Sequence, residues 1–281
     1  MKQAAWDVNF SLPIRSFQPH FDGLFVLLQL AYTSGRPVKF SFCSSVASVS
    51  AQITEDGTAI KEELSSTPSD ASPTGYGRSK WVAEAICAKA VERAYTKKHV
   101  PPRFKVNILR LGQLTGDTKM GIWNPSEAWP LMLSTVNLLN SLPKIEQPLD
   151  WLPLDTAAKA VLETMFADSA NEDACKVYHI VQYKRDKTWM DLLNWIWSVR
   201  DQEFMIVRPE YWLMKLEMFG RDHPASALLG LWKNAYGEGA KKGASPNFAV
   251  TEVVKVSQTM RNLEPLSKEQ GKKILQWIYG K

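Results

Sequence analysis

Apolar residues at Phe21, Leu24, Phe25, Leu28 and Ala31 recur at helical spacing. They predict a helix that opens on Pro19 and stops at Gly35 and Pro37. The run Val38–Phe42 is too short for another helix and reads as a buried strand, leading into Cys43-Ser44-Ser45. Helical spacing resumes at Tyr76 and continues to about Lys98, where Pro101 and Pro102 end it. Between the two, residues 50–73 are a polar loop with Gly57 and two prolines, Pro68 and Pro73, long enough to suggest a loop that serves a site. Phe104–Leu111 is the next strand, Gly112–Asn124 a glycine-containing loop, and Glu127–Leu139 a helix. Leu149–Asp155 reads as a short extended piece whose Asp155 caps a helix over Thr156–Phe166. A strand over Lys176–Val181, a Trp-rich amphipathic helix over Thr188–Val199 and a strand over Glu203–Val207 follow. Beyond Pro209 the pattern is helical, over Glu210–Phe219, Ala225–Tyr236 and Lys268–Ile278, with a Gly/Lys-rich loop at 237–246. Residues 1–18 show no period and are expected to be irregular.

Strands alternating with helices as far as residue 183 imply an α/β fold with a parallel sheet. The predicted organisation is a core over residues 1–183 and a mainly helical C-terminal cap over 184–281, which in such folds covers the carboxyl ends of the strands.

Composition changes this picture little. The 281 residues are 45% apolar and 22% charged, as in ordinary globular proteins. The net charge of +5 comes from scattered basic residues, so no nucleic-acid footprint is expected. Cys43, Cys87 and Cys175 sit far apart in apolar segments and read as reduced core thiols; the four histidines have no metal-ligand spacing. The longest apolar run, Leu24–Tyr32, is too short to span a bilayer, and Met-Lys-Gln-Ala-Ala-Trp-Asp is no secretory leader. No membrane partner is expected, and the location expected is cytoplasmic.

The chemistry concentrates in Thr74-Gly75-Tyr76-Gly77-Arg78-Ser79-Lys80-Trp81-Val82-Ala83-Glu84. Tyr76 and Lys80 are one helical turn apart on one face. An ammonium beside a phenol is expected to lower the phenol's pKa and let it pass a proton to or from a substrate oxygen. A strand ending in Ser44-Ser45 ahead of such a helix is the constellation of the short-chain dehydrogenase/reductase superfamily, which this chain resembles. Tyr-x-x-x-Lys alone is a weak motif; its context gives it weight.

The resemblance narrows along the chain. Gly75–Glu84, Arg110-Leu111-Gly112-Gln113-Leu114-Thr115-Gly116, Gly121-Ile122-Trp123-Asn124, Trp129-Pro130-Leu131, Asp150–Asp155 and Val177-Tyr178-His179-Ile180 occur in the order of one family. They resemble the thioester reductase domains that end fungal nonribosomal-peptide-synthetase-like enzymes and aminoadipate reductases. The resemblance implies a Rossmann-like fold with a helical substrate cap. It implies NADPH-dependent reduction of a carrier-bound acyl thioester to an aldehyde, in secondary metabolism. It also implies that Ser45 binds the carbonyl oxygen, that Tyr76 gives the proton, and that Lys80 tunes Tyr76 and binds the nicotinamide ribose. Arg110, Gly112 and Gln113 would border the nicotinamide.

One family feature is missing: the strand–Gly-rich turn–helix that seats a dinucleotide pyrophosphate on a helix N-terminus. No G-x-G-x-x-G stands in a strand-to-helix context, and the family's His-Asn-Ala-Trp-like stretch reads Gln3-Ala4-Ala5-Trp6. The expectation is an N-terminally truncated, incomplete Rossmann-like sheet. Its Val38 strand would have an open edge, covered by the N-terminal segment, a homo-oligomer or a partner chain. Three readings follow: a reductase; a cofactor-free acid/base enzyme (isomerase, cyclase or dehydratase) that reuses Ser45, Tyr76 and Lys80 on a small molecule; or a non-catalytic module that docks an acidic carrier protein.

Other features have plainer readings. Trp189, Trp195 and Trp197 are expected to pack rather than to cage a ligand, and Asp150 and Asp155 to serve turns and caps. Ser44 is expected to satisfy backbone groups, and no G-x-S-x-G elbow suggests a hydrolase.

Overall fold

The computed structural model describes residues 1–52, 57–96, 104–167, 173–200, 202–220, 223–240 and 245–280. The chain begins with β1 (Lys2–Gln3), α1 (Gln18–Thr33), β2 (Val38–Ser45), α2 (Gly75–Thr96), β3 (Phe104–Leu111) and β4 (Leu114–Thr115). It continues through α3 (Ala128–Ser134), α4 (Val136–Leu139), β5 (Ser141–Pro143), β6 (Leu152–Pro153), α5 (Leu154–Phe166) and β7 (Cys175–Ile180). It ends with α6 (Trp189–Trp197), β8 (Met205–Val207), α7 (Pro209–Phe219), α8 (Leu229–Tyr236), α9 (Val253–Val256), α10 (Gln258–Arg261) and α11 (Lys268–Tyr279). The expected end of α2 at Lys98 to Pro102, and residues 241–244 of the Gly/Lys-rich loop, lie outside the described residues.

The chain forms two compact units that interleave in sequence. The first comprises Met1–Gln113, Ala157–Tyr183 and Pro246–Leu263; the second comprises Leu114–Thr156, Lys184–Ser245 and Glu264–Lys281.

The first unit is built on a parallel sheet in the order β1-β2-β3-β7. β2 and β3 pair over their full lengths, from Val38↔Phe104 to Ser45↔Leu111. Both faces of a parallel sheet are covered, so these strands carry apolar residues in long runs. Phe40, Phe42, Val106 and Ile108 meet Leu24 and Leu28 of α1 and Ala83 and Cys87 of α2 in one buried cluster. Phe25, although in phase with the helical pattern, is exposed. The irregular N-terminus expected from sequence is corrected at Lys2–Gln3, which pairs with Ser41 and Phe42. Two residues are too few to show a period, and the pairing is made by backbone groups. β1 thereby covers part of the edge that β2 was expected to leave open.

The second unit holds a tryptophan-rich core in which Trp123, Trp151, Trp189, Trp195, Trp212 and Trp232 are buried. Trp189 and Trp195 pack as expected, whereas Trp197 is largely exposed. A capping box opens α6, with the Thr188 hydroxyl accepting from Asp191 N–H and the Asp191 carboxylate accepting from Thr188 N–H. The single helix expected over Glu127–Leu139 is divided at Thr135 into α3 and α4. The Thr135 hydroxyl is the acceptor for Trp212 Nε1–H at 3.1 Å. α5 starts earlier than expected, with Asp155 in its first turn rather than as its cap. The short helices α9 and α10 had no sequence signal, because four residues cannot show a helical period.

Candidate active site

The site is built on the first turns of α2 and the carboxyl end of β2. Glycines flank Tyr76 because other backbone crosses there. A Cβ on Gly75 would lie 2.1 Å from the Leu12 carbonyl oxygen, and one on Gly77 would lie 2.2 Å from Ser72 Oγ and 2.8 Å from the Ala47 oxygen. The chain after β2 therefore lies directly against the start of α2.

Tyr76, Lys80 and Glu84 follow one another at single-turn spacing, and all three are buried. Each meets a different part of the strand end. The Ser45 side chain stands beside the Tyr76 phenol and acts to lower its pKa. Lys80 Nζ donates to the Cys43 carbonyl at 2.8 Å. Glu84 Oε1 accepts from Ser44 Oγ at 2.5 Å and from Ser48 Oγ at 2.7 Å. The Ser45 hydroxyl also accepts from Ala47 N–H at 3.2 Å, which starts the short turn Val46–Ser48. The structure thus brings Ser45, Tyr76 and Lys80 together. Ser44, expected to satisfy backbone groups, bonds a buried carboxylate instead.

The electrostatics differ from the expectation for Tyr76. Its phenol is raised above its ordinary value by burial, opposed by the Ser45 side chain. The expected lowering by Lys80 does not control this phenol. The ammonium is directed at the Cys43 carbonyl and lies 5.7 Å from the Tyr76 ring centroid and 4.6 Å from that of Trp6. Burial also acts on Lys80, lowering it to about 8. A phenol held in its protonated form is a proton donor near neutral pH.

Arg110, expected to border the nicotinamide, directs its side chain into the protein. Arg110 is fully buried, with Nη2 2.7 Å from Glu84 Oε2 and Nε 3.0 Å from Glu84 Oε1. Its Nη1 lies 3.2 Å from His179 Nε2. Arginine only donates, so Nε2 is the acceptor and the neutral ring gives its Nδ1–H to the Ala249 carbonyl at 2.8 Å. Burial and the guanidinium lower His179 to about 3. Arg110 therefore belongs to the floor of the site. Gly112 and Gln113 follow it, with Gly112 N–H bonded to the Ile180 carbonyl at 3.0 Å.

Sequence reasoning missed three groups. Glu84 ended the quoted motif, and its spacing from Lys80 could have placed it on the Tyr76 face. Trp6, beyond β1, lies over Lys80 and donates Nε1–H to Ser79 Oγ at 3.0 Å. Phe10 meets Tyr76 edge-on with ring centroids 5.3 Å apart. Phe10 carried no local signal and Trp6 only its place in the Gln3–Trp6 stretch, since both reach the site from an aperiodic segment.

A dinucleotide fits part of this arrangement. The Lys80 ammonium has three donors, one of them used on Cys43, and with Tyr76 and Ser45 it supplies the polar set for a nicotinamide ribose and a substrate carbonyl. For the pyrophosphate, no glycine-rich turn joins a strand to a helix among the described residues. No group of His, Cys, Asp and Glu among the described residues could hold a metal ion.

Comparisons with known proteins bear on the family and the fold. The sequence profile described as "Male sterility protein" (NAD-binding) matches residues 3–161. An adenylate-forming reductase of Aspergillus terreus is 33% identical over 199 residues, which is 68% of this chain and 17% of that protein. The adenylate-forming reductase stbB of Stachybotrys bisbyi is 30% identical over 245 residues, 83% of this chain and 22% of that protein. The chain thus spans less than a quarter of the length of these relatives. The crystal structure of the terminal R domain from the myxalamid PKS-NRPS biosynthetic pathway superposes with a TM-score of 0.81 at 22% identity, over 99% of this chain and 68% of that one. That likeness establishes the fold.

Proposed function

The chain belongs to the Male sterility protein family of NAD-binding proteins within the extended short-chain dehydrogenase/reductase superfamily, and from that premise we propose that it carries the acid/base centre of a thioester reductase. The substrate class is an acyl chain held as a carrier-protein thioester, and the product is an aldehyde. The relatives named as adenylate-forming reductases support the class. The observation that carries the reading is the burial of Tyr76 and Lys80, one turn apart on α2, against the end of β2 that carries Ser45.

Bound NADPH supplies the hydride. The residues of this chain do the rest. Ser45 and Tyr76 hold the acyl carbonyl oxygen between two hydroxyls. As the carbonyl carbon becomes tetrahedral, Tyr76 gives its proton to that oxygen, so no free oxyanion accumulates. The resulting hemithioacetal collapses to the aldehyde, and its hydroxyl proton leaves with the thiol. Lys80 is placed to hold the ribose and to offset charge on the phenolate. Gly112 and Gln113 would border the nicotinamide.

A second reading rests on the acid/base groups themselves, which are assembled by this chain alone. On that reading Ser45, Tyr76 and Lys80 polarise a carbonyl and move a proton with no redox change. The two are separated by titrating NADPH into the full chain, with Lys80→Ala as control, and then assaying hydride transfer to a thioester. Micromolar binding that is lost in the control, followed by aldehyde formation, is the reductase outcome. A folded protein that neither binds NADPH nor transfers hydride overturns it, and Tyr76-dependent redox-neutral conversion is then the outcome to seek.

A further inference from the structure

The face of α2 that carries Tyr76 and Lys80 does not stop at Lys80. One turn further, Glu84 is buried beside the same strand end. Its Oε1 receives the hydroxyls of Ser44 and Ser48 at 2.5 and 2.7 Å, and its Oε2 receives Arg110 Nη2 at 2.7 Å. Ser44 and Ser48 bracket Ser45 and the turn Val46–Ser48. Ser48 Oγ lies 2.7 Å from Glu84 Oε1 and 2.8 Å from the Ser45 carbonyl oxygen, so its one proton is shared between these two acceptors. Ser72 N–H closes the outer side of this turn on the Ala47 carbonyl at 2.8 Å. Arg110 holds the carboxylate from beneath, and His179 and the Ala249 carbonyl hold Arg110.

We infer that Glu84 is the positioning residue of this site: by drawing Ser44 and Ser48 onto one buried carboxylate it sets the turn from which Ser45 meets the Tyr76 phenol. Glu84 is buried, with both carboxylate oxygens taken by protein donors. It acts through Ser45, and the inference rests on the reading of Tyr76 as the acid. A carboxylate suits the task. Ionised, it only accepts, and its two oxygens take both serine hydroxyls and the Arg110 fork together. An amide would offer one acceptor and turn an N–H donor towards a partner that also donates. The spacing makes the arrangement self-consistent, since Tyr76, Lys80 and Glu84 grip Ser45, the Cys43 carbonyl and the Ser44/Ser48 pair from three consecutive turns of one helix.

The test is the titration of Tyr76 itself, read by NMR on full-length protein with labelled tyrosine and assigned with Tyr76→Phe. Removing Glu84 would strand Arg110 and could unfold the chain, so the variants are Ser44→Ala/Ser48→Ala, which leave the Glu84–Arg110 pair whole. Ser45→Ala is the reference, because it removes the hydroxyl that lowers the phenol. The expected result is an upward shift of the Tyr76 midpoint in Ser44→Ala/Ser48→Ala, in the direction of Ser45→Ala. The triple variant is expected to move no further than Ser45→Ala alone. A midpoint moved by Ser45→Ala but unmoved by Ser44→Ala/Ser48→Ala overturns the role of Glu84 and leaves the site reading intact. A midpoint unmoved by Ser45→Ala overturns the Ser45–Tyr76 contact, and both readings with it.

Discussion

Arg110 and Glu84 are joined by a two-pronged ion pair that is closed off from water, with 2.7 Å between Nη2 and Oε2. Breaking such a pair costs far more than replacing it, because the remaining charge stays buried without its partner. Glu84→Ala or Arg110→Ala should each cost roughly 3–5 kcal/mol. Replacing both by apolar residues of similar volume should recover most of that loss. Urea unfolding of the single and double variants checks both statements, and equal losses in single and double variants would contradict them.

Tyr76→Phe should leave the fold intact while lowering turnover by about 10²–10⁴-fold, the usual share of a positioned proton donor. The fold should survive because only the phenolic oxygen and its contact with Ser45 are lost. Turnover with NADPH and a thioester, beside a thermal melt, measures the two effects separately. Unchanged turnover would remove Tyr76 from the acid role.

Lys80 contributes a pH dependence of known sign. Its folded value of about 8 lies below the ordinary 10.5, so between those values the unfolded chain holds a proton that the folded chain does not. The cost of burying the ammonium is fully present below pH 8 and disappears as the pH rises towards 10.5. Lys80→Met should therefore stabilise the protein by about 1–3 kcal/mol at pH 7, with the gain gone by pH 11. The same variant should lose NADPH binding. Denaturant unfolding at pH 7 and at pH 11 reads the difference directly.

His179 carries the acid side. Folded at about 3 against an ordinary 6.5, it leaves the unfolded chain with the extra proton in that interval. Its contribution to stability is present above pH 6.5 and is lost as the pH falls towards 3. His179→Gln keeps one donor and one acceptor and does not titrate. It should flatten the loss of stability between pH 6.5 and 4, as followed by circular dichroism. An unchanged acid limb would place the loss on other groups.

Gly75→Ala tests the approach of the N-terminal segment. The new methyl would stand 2.1 Å from the Leu12 oxygen and 2.7 Å from Ile14 N. Overpacking against backbone should cost about 1–3 kcal/mol. It should also shift Phe10 and Phe17, which pack on the Tyr76 ring at 5.3 and 6.5 Å. A chemical-shift map of the variant would show changes at those rings, and a map confined to residue 75 would count against the packing described.

Much of this protein was legible in its sequence. Period and strand length located α1, β3 and β7 to within two residues and the start of β2, which runs three residues beyond Phe42, because a parallel sheet covered on both faces writes its burial into continuous apolar runs. The spacing of Tyr76 and Lys80 fixed which two side chains share a helix face, since that depends on local geometry alone. Tertiary structure decided what those side chains meet. The Tyr76 phenol is raised because burial outweighs the Ser45 hydroxyl, while the Lys80 ammonium is directed at the Cys43 carbonyl. Arg110 joined the floor of the site because Glu84, distant in sequence, lies buried beside it. Lys2–Gln3 became a strand because β2 offered backbone groups to pair with. Trp6 and Phe10 reached the site from a segment with no period at all. Local spacing determines faces; burial and pairing between distant segments determine partners, and the partners set the chemistry.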